Sequence, residues 1–309
     1  MFTRWLALIS FSILSFQVLS SEPTTLRIAY PSAGTIISAQ VGLVLEKTDI
    51  LKKHGFASQM NSMSNGRDMK LALLADKVDF IMTSEANFVV LLAEGFPAVG
   101  VASLGQGGEM GLTVKSDSGI KSIADLEGKS LGTIYGTSLH RPALDWTKEL
   151  KKIDVVNLAS IGALASALES NKIASAMLWD PHLYDGVSKG RYTVFKREPL
   201  DLIVISSKKF MDAHPDANKK FKEALKEAVF YFSQHKDEVN KWYAETSKID
   251  EKQIDAVSKT NRNYNVKKIK DVNVAIDDAF IAKMQKTAQF LFDQKIISKV
   301  PEVKDSILK

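Results

Sequence analysis

The residues best suited to bind a small ligand lie at a corner of the chain, where a strand pattern is followed by a helix pattern. The strand pattern covers Ser130–Tyr135 and breaks at Gly136, after which Thr137 and Ser138 can each cap the following helix through a side-chain oxygen. A cap at Ser138 leaves the backbone N–H groups of the first turn free, those of Leu139, His140 and Arg141. A helix end of this kind suits a sulfonate, phosphate, carboxylate or nitrate, and the same residues also fit an ordinary strand-to-helix turn.

The elements around this corner alternate between strand and helix patterns. Strand patterns at Leu26–Tyr30, Ala57–Met60 and Phe80–Thr83 are separated by helix patterns over 35–53, 67–75 and 85–93. The helix over 67–75 is expected to point four side chains inward, those of Met69, Leu71, Leu73 and Leu74. The same alternation continues in the second part of the chain, with strand patterns at Leu112–Lys115, Ser130–Tyr135, Val155–Leu158 and Ala176–Trp179. This alternation predicts two doubly wound, mainly parallel α/β units of about a hundred residues each.

The glycine-rich segment Gly105–Gly111 separates the two predicted units. It does not match a dinucleotide-binding loop, because Met110 stands where the third glycine should fall and the next segment has a strand pattern. We therefore interpret it as a hinge or a flexible loop.

The last third of the chain changes to helical patterns from about Pro215. An apolar stripe at helical spacing comprises Phe221, Leu225, Ala228, Val229 and Phe232. The strand pattern at Leu202–Ile205 predicts that the chain returns to the first unit, on which these helices pack. The predicted organisation is a first lobe over 22–106 plus 206–309, with extra C-terminal helices, and a second lobe over 107–205.

The N-terminus has the layout of a secretory signal peptide over residues 1–21. Arg4 precedes an apolar run from Trp5 to Leu19, and small residues lead into the polar segment after it. This run of fifteen residues is shorter than the roughly twenty that span a bilayer, although an uncleaved anchor is the alternative. The chain has no cysteine, so it has neither a disulfide nor a lipid-modified cysteine. These features predict an exported protein that is held together by core packing.

Composition and motifs exclude several classes of function. The net charge of +5 is a thin surplus of basic residues, and much of it lies in the C-terminal third. Basic and acidic residues are interspersed there, which is typical of solvated helix faces and not of a nucleic-acid groove. The five histidines show no paired metal-ligand spacing, and neither a nucleophile elbow nor a phosphate-binding Walker loop is present. We therefore expect no metal, no cofactor, no nucleic-acid partner and no catalytic activity.

Four segments carry a resemblance to a known family. They are Ser118–Lys129 (SGIKSIADLEGK), the Gly136–Ser138 corner, Leu71–Asp79 (LALLADKVD), and Ala165–Pro181, which ends in Trp-Asp-Pro. With them, nearly the whole mature chain resembles the periplasmic substrate-binding proteins of the sulfonate, nitrate, taurine and thiamine-precursor group, the SsuA/THI5-like or NMT1-like family. One departure is Asn171–Ser175, which lacks the acidic residue that many members have there.

The resemblance implies a two-lobed periplasmic-binding-protein fold of type II, in which the lobes close by a hinge on a small ligand and deliver it to an inner-membrane ABC permease. A monomer is then the expected state. The eukaryotic precursor-making enzymes of the family carry a cysteine-rich iron site, which a chain without cysteine cannot form. A sensory or partner-binding protein with the same fold is the second hypothesis, and a secreted enzyme is the third. The ligand stays open among sulfonate, nitrate, carboxylate and pyrimidine precursor.

The predicted fold also indicates where a ligand binds, because ligands of open α/β sheets lie outside the carboxyl ends of the strands. Four loops are expected to face the cleft and supply the binding residues, Tyr30, Ser32, Ser84, Glu85, Gly136, Thr137, Ser138, His140, Trp179 and Asp180. The serine and threonine hydroxyls would bind the polar end of the ligand, while Trp179 or Tyr30 would cover an apolar body and Asp180 would accept from an amine or hydroxyl.

Overall fold

A computed structural model describes residues 23–32 and 34–308 of the protein, so the predicted signal peptide lies outside the described residues. The strands in this part are β1 (Thr24–Pro31), β2 (Phe56–Met63), β3 (Phe80–Ser84), β4 (Ala98–Lys115), β5 (Ser130–Thr133), β6 (Asp154–Asn157), β7 (Ser175–Trp179) and β8 (Tyr192–Ser207). None of the helices described is long and apolar enough to cross a membrane.

The helices that follow strands β1 to β7 are α1 (Ile36–Lys47), α2 (Ile50–Lys53), α3 (Gly66–Leu74), α4 (Glu85–Ala93), α5 (His140–Thr147), α6 (Ile161–Glu169) and α7 (His182–Ser188). The C-terminal helices are α8 (Lys208–Ala213), α9 (Ala217–Gln234), α10 (Lys236–Ser247), α11 (Glu251–Ser258) and α12 (Asp278–Asp293). Short 3-10 helices cover Ile123–Leu126, Ile269–Asp271 and Val303–Ser306.

All eight strands belong to one mixed sheet in the order β2-β1-β3-β8-β4-β7-β5-β6. Strands β2, β1 and β3 are parallel to one another, and so are β7, β5 and β6 at the other end. The two long strands β4 and β8 are antiparallel and join these halves. The predicted α/β class with two mainly parallel halves is therefore confirmed. The lobe boundaries near residues 106 and 205 remain a prediction.

The carboxyl ends of both parallel sets point toward the middle of the β4–β8 pair. Ser84, at the end of β3, is paired with Leu202, which is paired in turn with Gly105. Trp179, at the end of β7, is paired with Met110. The loops that follow the two sets of strands therefore face each other across the centre of the sheet.

The glycine-rich segment Gly105–Gly111 lies inside strand β4, so its interpretation as a flexible loop is wrong. Gly105 and Gly108 have φ angles of 77° and 108°, which favour glycine, and the pairing with β8 shifts register at both places. A Cβ at Gly107 would lie 2.3 Å from the Leu202 side chain. The glycines therefore allow the bulged strand β4 to continue from one half to the other while it packs closely against β8.

The C-terminal helices pack mainly on the first half. Helices α9 and α10 pack against α1, and α12 packs against α4, while α11 also contacts α7 of the second half. The apolar stripe Phe221, Leu225, Ala228, Val229 and Phe232 is buried throughout. Helix α1 is therefore enclosed between the sheet and the C-terminal helices, and its residues 36–45 are all buried.

The prediction for helix α3 is half wrong. Met69 and Leu73 are buried, but Leu71 and Leu74 are exposed by 51% and 38%. Residues four apart share a helix face, so Met69 and Leu73 can contact the sheet together, whereas Leu71 is rotated by about 200° from Met69. The α3 helix therefore buries a narrow stripe instead of a wide apolar face.

We expect Gly42→Ala to destabilise the fold. A Cβ at Gly42 would lie 2.4 Å from the Tyr30 ring, so α1 must move away from β1. The expected loss is about 2 kcal/mol of the free energy of unfolding, measured by urea denaturation. Gly162→Ala in α6 is the matched control, because no atom lies within 4 Å of its Cβ. The control should be neutral or more stable by up to about 1 kcal/mol. Equal losses in both variants would contradict the packing argument.

Candidate functional site

A cavity of about 880 Å³ lies between the two halves, where the carboxyl ends of the parallel strands face each other. The first half contributes the loops after β1, β2 and β3, and the second half contributes the loops after β5, β6 and β7. A third wall comes from Ser247–Ile249, the connection between α10 and α11. Three separate parts of the chain thus surround one space that is large enough for a small organic molecule.

Five helices of eight residues or more begin at this cavity. Residues just before or at the first turn of α1, α3, α4, α5 and α6 lie on its wall, namely Thr35, Asn65, Ser84, Ser138 and Ser160. Asn65 and Ser160 are true N-caps, because their side chains accept hydrogen bonds from the N–H groups of Asp68 and Ala163. The positive ends of five helix dipoles therefore converge on the cavity and favour an anion there.

Thr137 and Ser138 of the Gly-Thr-Ser corner lie on the wall, but the helix after them begins later than predicted. Helix α5 begins at His140, and Ser138 makes no cap hydrogen bond. The Leu139 N–H donates to Thr137 Oγ1 at 3.3 Å, and the His140 N–H donates to the Thr137 carbonyl at 3.0 Å. Two of the three N–H groups that the sequence left free are therefore paired within the turn, because Thr137 holds the turn closed.

Arg67 is an exposed residue that brings a positive charge to the cavity. It lies in the first turn of α3 and on the cavity wall, and its guanidinium has no hydrogen bond or ion pair within residues 23–32 and 34–308. The neighbouring Asp68 carboxylate is engaged locally, since it accepts from Ser64 Oγ at 2.7 Å and Asn65 Nδ2 at 2.9 Å. Lys248 also lines the cavity, and its Nζ donates to the Glu245 carbonyl at 2.9 Å.

Hydrogen-bonding groups and an indole complete the wall. The Asn87 amide lies on the wall and donates to Thr83 Oγ1 at 2.8 Å. The buried Trp179 Nε1 has no partner in the part of the chain that the structure describes, although the ring lies on the wall. Burial lowers the pKa of His182, another wall residue, so this imidazole is neutral at pH 7. The cavity wall thus combines the cationic side chains of Arg67 and Lys248 with neutral donors and an aromatic surface.

Of the ten residues that the sequence suggested, the structure brings four together on the cavity wall: Ser84, Thr137, Ser138 and Trp179. Tyr30 lies in the core, where its hydroxyl donates to Glu46 at 2.7 Å. Ser32 donates to the Met63 carbonyl at 3.1 Å and lies off the wall. Gly136 and His140 lie behind the wall, where the Gly136 N–H donates to His140 Nδ1 at 3.4 Å.

Asp180 and Glu85 lie beneath the cavity and not on its wall. Asp180 accepts from the N–H groups of Glu109 and Tyr184, at 2.8 and 3.0 Å, and so connects β7 and α7 to β4. Burial raises the pKa of Asp180 to about 6. Glu85 is fully buried, which raises its pKa to about 7 against the attraction of Lys283.

Sequence reasoning missed Arg67, Asn87, Ser160 and the α10–α11 connection. The segment after β2 carried a usable signal, because Asn65 is a favoured N-cap residue and precedes Gly66 and Arg67 at the start of an apolar helix pattern. The α10–α11 connection carried none, since no local pattern brings it to a cavity built by residues far away in the chain.

Comparison with known proteins agrees with this architecture. The family model described as NMT1/THI5 like matches residues 49–239, which is more than half of the chain. The chain belongs to the NMT1/THI5-like family. A Bacillus subtilis protein named for binding aliphatic sulfonates is 26% identical over 270 residues, which cover 84% of this chain and 78% of that protein.

Solved structures share the fold at low sequence identity. The alkanesulfonate-binding protein SsuA from Xanthomonas axonopodis, bound to MOPS, matches with a TM-score of 0.78 and 17% identity, over 94% of this chain and 99% of that one. The aliphatic sulphonate-binding SsuA from Escherichia coli matches with a TM-score of 0.75 and 18% identity, over 93% and 92%. The desulfurization enzyme DSZB also matches, with a TM-score of 0.62 and 13% identity over 92% and 96%. The chain therefore has the two-lobed periplasmic-binding-protein fold.

We expect the buried Glu85 carboxyl to make stability depend on pH. Its pKa is raised from 4.5 to about 7, so the folded protein binds more protons than the unfolded chain between these pH values. The free energy of unfolding therefore falls as pH rises from about 5 to 8, by up to about 3 kcal/mol from this group. In Glu85→Gln this contribution is absent. Urea denaturation should show the variant gaining stability relative to wild type as pH rises, and parallel curves would contradict the assignment.

Proposed function

We propose that this protein is the solute-binding component of an ABC importer and that it captures an organic sulfonate between its two halves. The observation that carries the proposal is the cavity itself, where five helix N-termini converge with the Arg67 guanidinium, which has no partner among the described residues. Family membership and the sulfonate-binding relative support the same function. A sulfonate presents three equivalent oxygens with one shared negative charge, which suits several neutral donors around one cation.

Arg67 would bind the sulfonate from the first half, together with the Ser84 hydroxyl and the Asn87 amide. Ser138 would bind it from the second half, on the turn that Thr137 holds by donating its hydroxyl to the Ile134 carbonyl at 2.7 Å. Ser138 is almost fully buried, so a hydrogen bond to it would be shielded from water. Of the residues suggested by the sequence, Ser84, Thr137, Ser138 and Trp179 are retained in this proposal, and Arg67 is added as the charged anchor.

Binding would close the cavity by movement about the β4–β8 pair. The two halves are joined by these strands, and the bulges at Gly105 and Gly108 are places where a strand bends at low cost. A ligand that contacts both halves stabilises the closed form by its greater affinity for that form. Closure of this kind gives the permease a signal that the ligand is present.

The predicted signal peptide would export the protein to the periplasm, where it would act as a monomer and dock on an inner-membrane permease. A ligand-sensing protein that uses the same closure is the second candidate. The fold shared with DSZB raises an enzyme as the third. The chain lacks cysteine. Among the described residues of the cavity wall, no nucleophile, base and acid are linked in a series by hydrogen bonds. We therefore assign capture of the ligand without turnover.

We expect Arg67→Ala to weaken sulfonate binding at least tenfold, because a charge-assisted hydrogen bond contributes about 1.5–3 kcal/mol. Calorimetric titration of residues 22–309 with alkyl and aryl sulfonates measures the affinity. Lys52→Ala is the matched control, since Lys52 is exposed on α2 and lies away from the cavity. The control should bind as wild type does.

A wild-type protein that binds none of the alkyl and aryl sulfonates would refute the proposed capture of a sulfonate. Equal affinities for wild type and Arg67→Ala would remove Arg67 from the site while leaving capture intact. Small-angle scattering with and without ligand tests closure separately, and we expect a smaller radius of gyration in the bound state.

A further inference from the structure

Two apolar side chains are exposed where they face the cavity. Among the described residues, five large apolar side chains are notably exposed, and two of them, Leu71 and Tyr135, lie on the cavity wall. Leu71 is 51% exposed and belongs to the first half, whereas Tyr135 is 43% exposed and belongs to the second. Apolar surface in contact with water is costly, so a ligand that covers both side chains gains affinity.

Tyr135 is held rigidly, although it is exposed. Its hydroxyl donates to the Val155 carbonyl at 3.0 Å, and its backbone N–H donates to Asn157 Oδ1 at 3.0 Å. One face of its ring stacks on His140, with ring centroids 4.3 Å apart and planes 13° apart. The ring is therefore a fixed platform, and stacking on it costs a ligand little conformational entropy on the protein side.

His140 acts as the support of this platform. Burial lowers the pKa of His140, and its Nδ1 accepts a hydrogen bond from the Gly136 N–H, so the imidazole is neutral at pH 7. The sequence suggested His140 as a ligand-binding residue. In the structure it lies behind the Tyr135 ring and acts on a ligand only through that ring.

Leu71 lies one helical turn after Arg67 on α3, and both side chains reach the same cavity. Residues four apart lie on one face of a helix, with Cβ atoms about 5–6 Å apart. A sulfonate bound at Arg67 therefore places the group attached to its sulfur beside Leu71.

We propose that Leu71 and Tyr135 form an apolar clamp that selects sulfonates with an aromatic ring or a long alkyl chain over short or zwitterionic ones. The inference rests on the proposed function and adds the specificity of the site. Leu71 and Tyr135 come from opposite halves, so a body bound between them also contributes to closure. Methanesulfonate and taurine cover less of Leu71 and Tyr135 than an aromatic ring or a long alkyl chain does, so they gain less affinity from the clamp.

The test compares benzenesulfonate with methanesulfonate by calorimetric titration. Wild type should bind benzenesulfonate at least tenfold more tightly, because apolar groups in such pockets discriminate by about 10-fold or more. Leu71→Ser should lower the affinity for benzenesulfonate about tenfold and that for methanesulfonate less than twofold. Leu74→Ser is the matched control, since Leu74 is exposed on the same helix but lies off the wall. It should change neither affinity.

Two substitutions at Tyr135 test the platform independently. Tyr135→Phe keeps the ring and its stacking on His140, so benzenesulfonate should bind within about threefold of wild type. Tyr135→Ala removes the ring and should lose about tenfold for benzenesulfonate only. The Phe variant also shows whether the hydroxyl anchor, and not the ring, is what matters.

Equal affinity of wild type for both sulfonates overturns the clamp while leaving sulfonate capture standing. Equal loss for both ligands in Leu71→Ser also overturns it, because that result indicates general damage to the site. Binding of neither sulfonate by wild type means that the proposed function has failed, and the clamp fails with it.

Discussion

The antiparallel pairing of β4 with β8 is the constraint on which the rest of the structure depends. These two long strands belong to both halves of the sheet, so they fix the positions of two parallel sets of strands that run in opposite directions. Both sets therefore end at the middle of the pair, near Gly105 and Met110. The helices that follow the strands begin at the same place, which concentrates their positive ends in one cavity.

This arrangement explains how a chain with a thin surplus of positive charge can offer a strongly anion-favouring site. The positive field at the cavity comes from backbone dipoles, the Arg67 guanidinium and the Lys248 ammonium, not from clustered lysines on the surface. Of the acidic groups near the cavity, Glu85 has its pKa raised to about 7 by burial, which reduces its negative charge close to a bound anion. The Asp68 carboxylate accepts hydrogen bonds from Ser64 and Asn65, which hold it in place beside Arg67.

Local signals in the sequence predicted the elements well. Strand and helix periods, together with cap residues, depend on neighbours within about four positions, so the helix over 85–93 and the apolar stripe of α9 were found from the sequence. Errors arose where a pattern had two physical readings. Glycines that suggested a loop form a bulged strand, because pairing with β8 supplies hydrogen bonds that the sequence does not display.

By itself, the sequence determined the α/β class, the order of elements and the absence of cysteine chemistry. Only the tertiary structure decided which side chains reach the cavity. Strand β1 is buried on both faces near its end, so alternation cannot tell whether Tyr30 faces the core or the cleft. The direction of Tyr30, the exposure of Leu71 and the approach of Ser247–Ile249 depend on packing between residues that are distant in the chain. Such contacts arise from the sheet order, which no local pattern encodes.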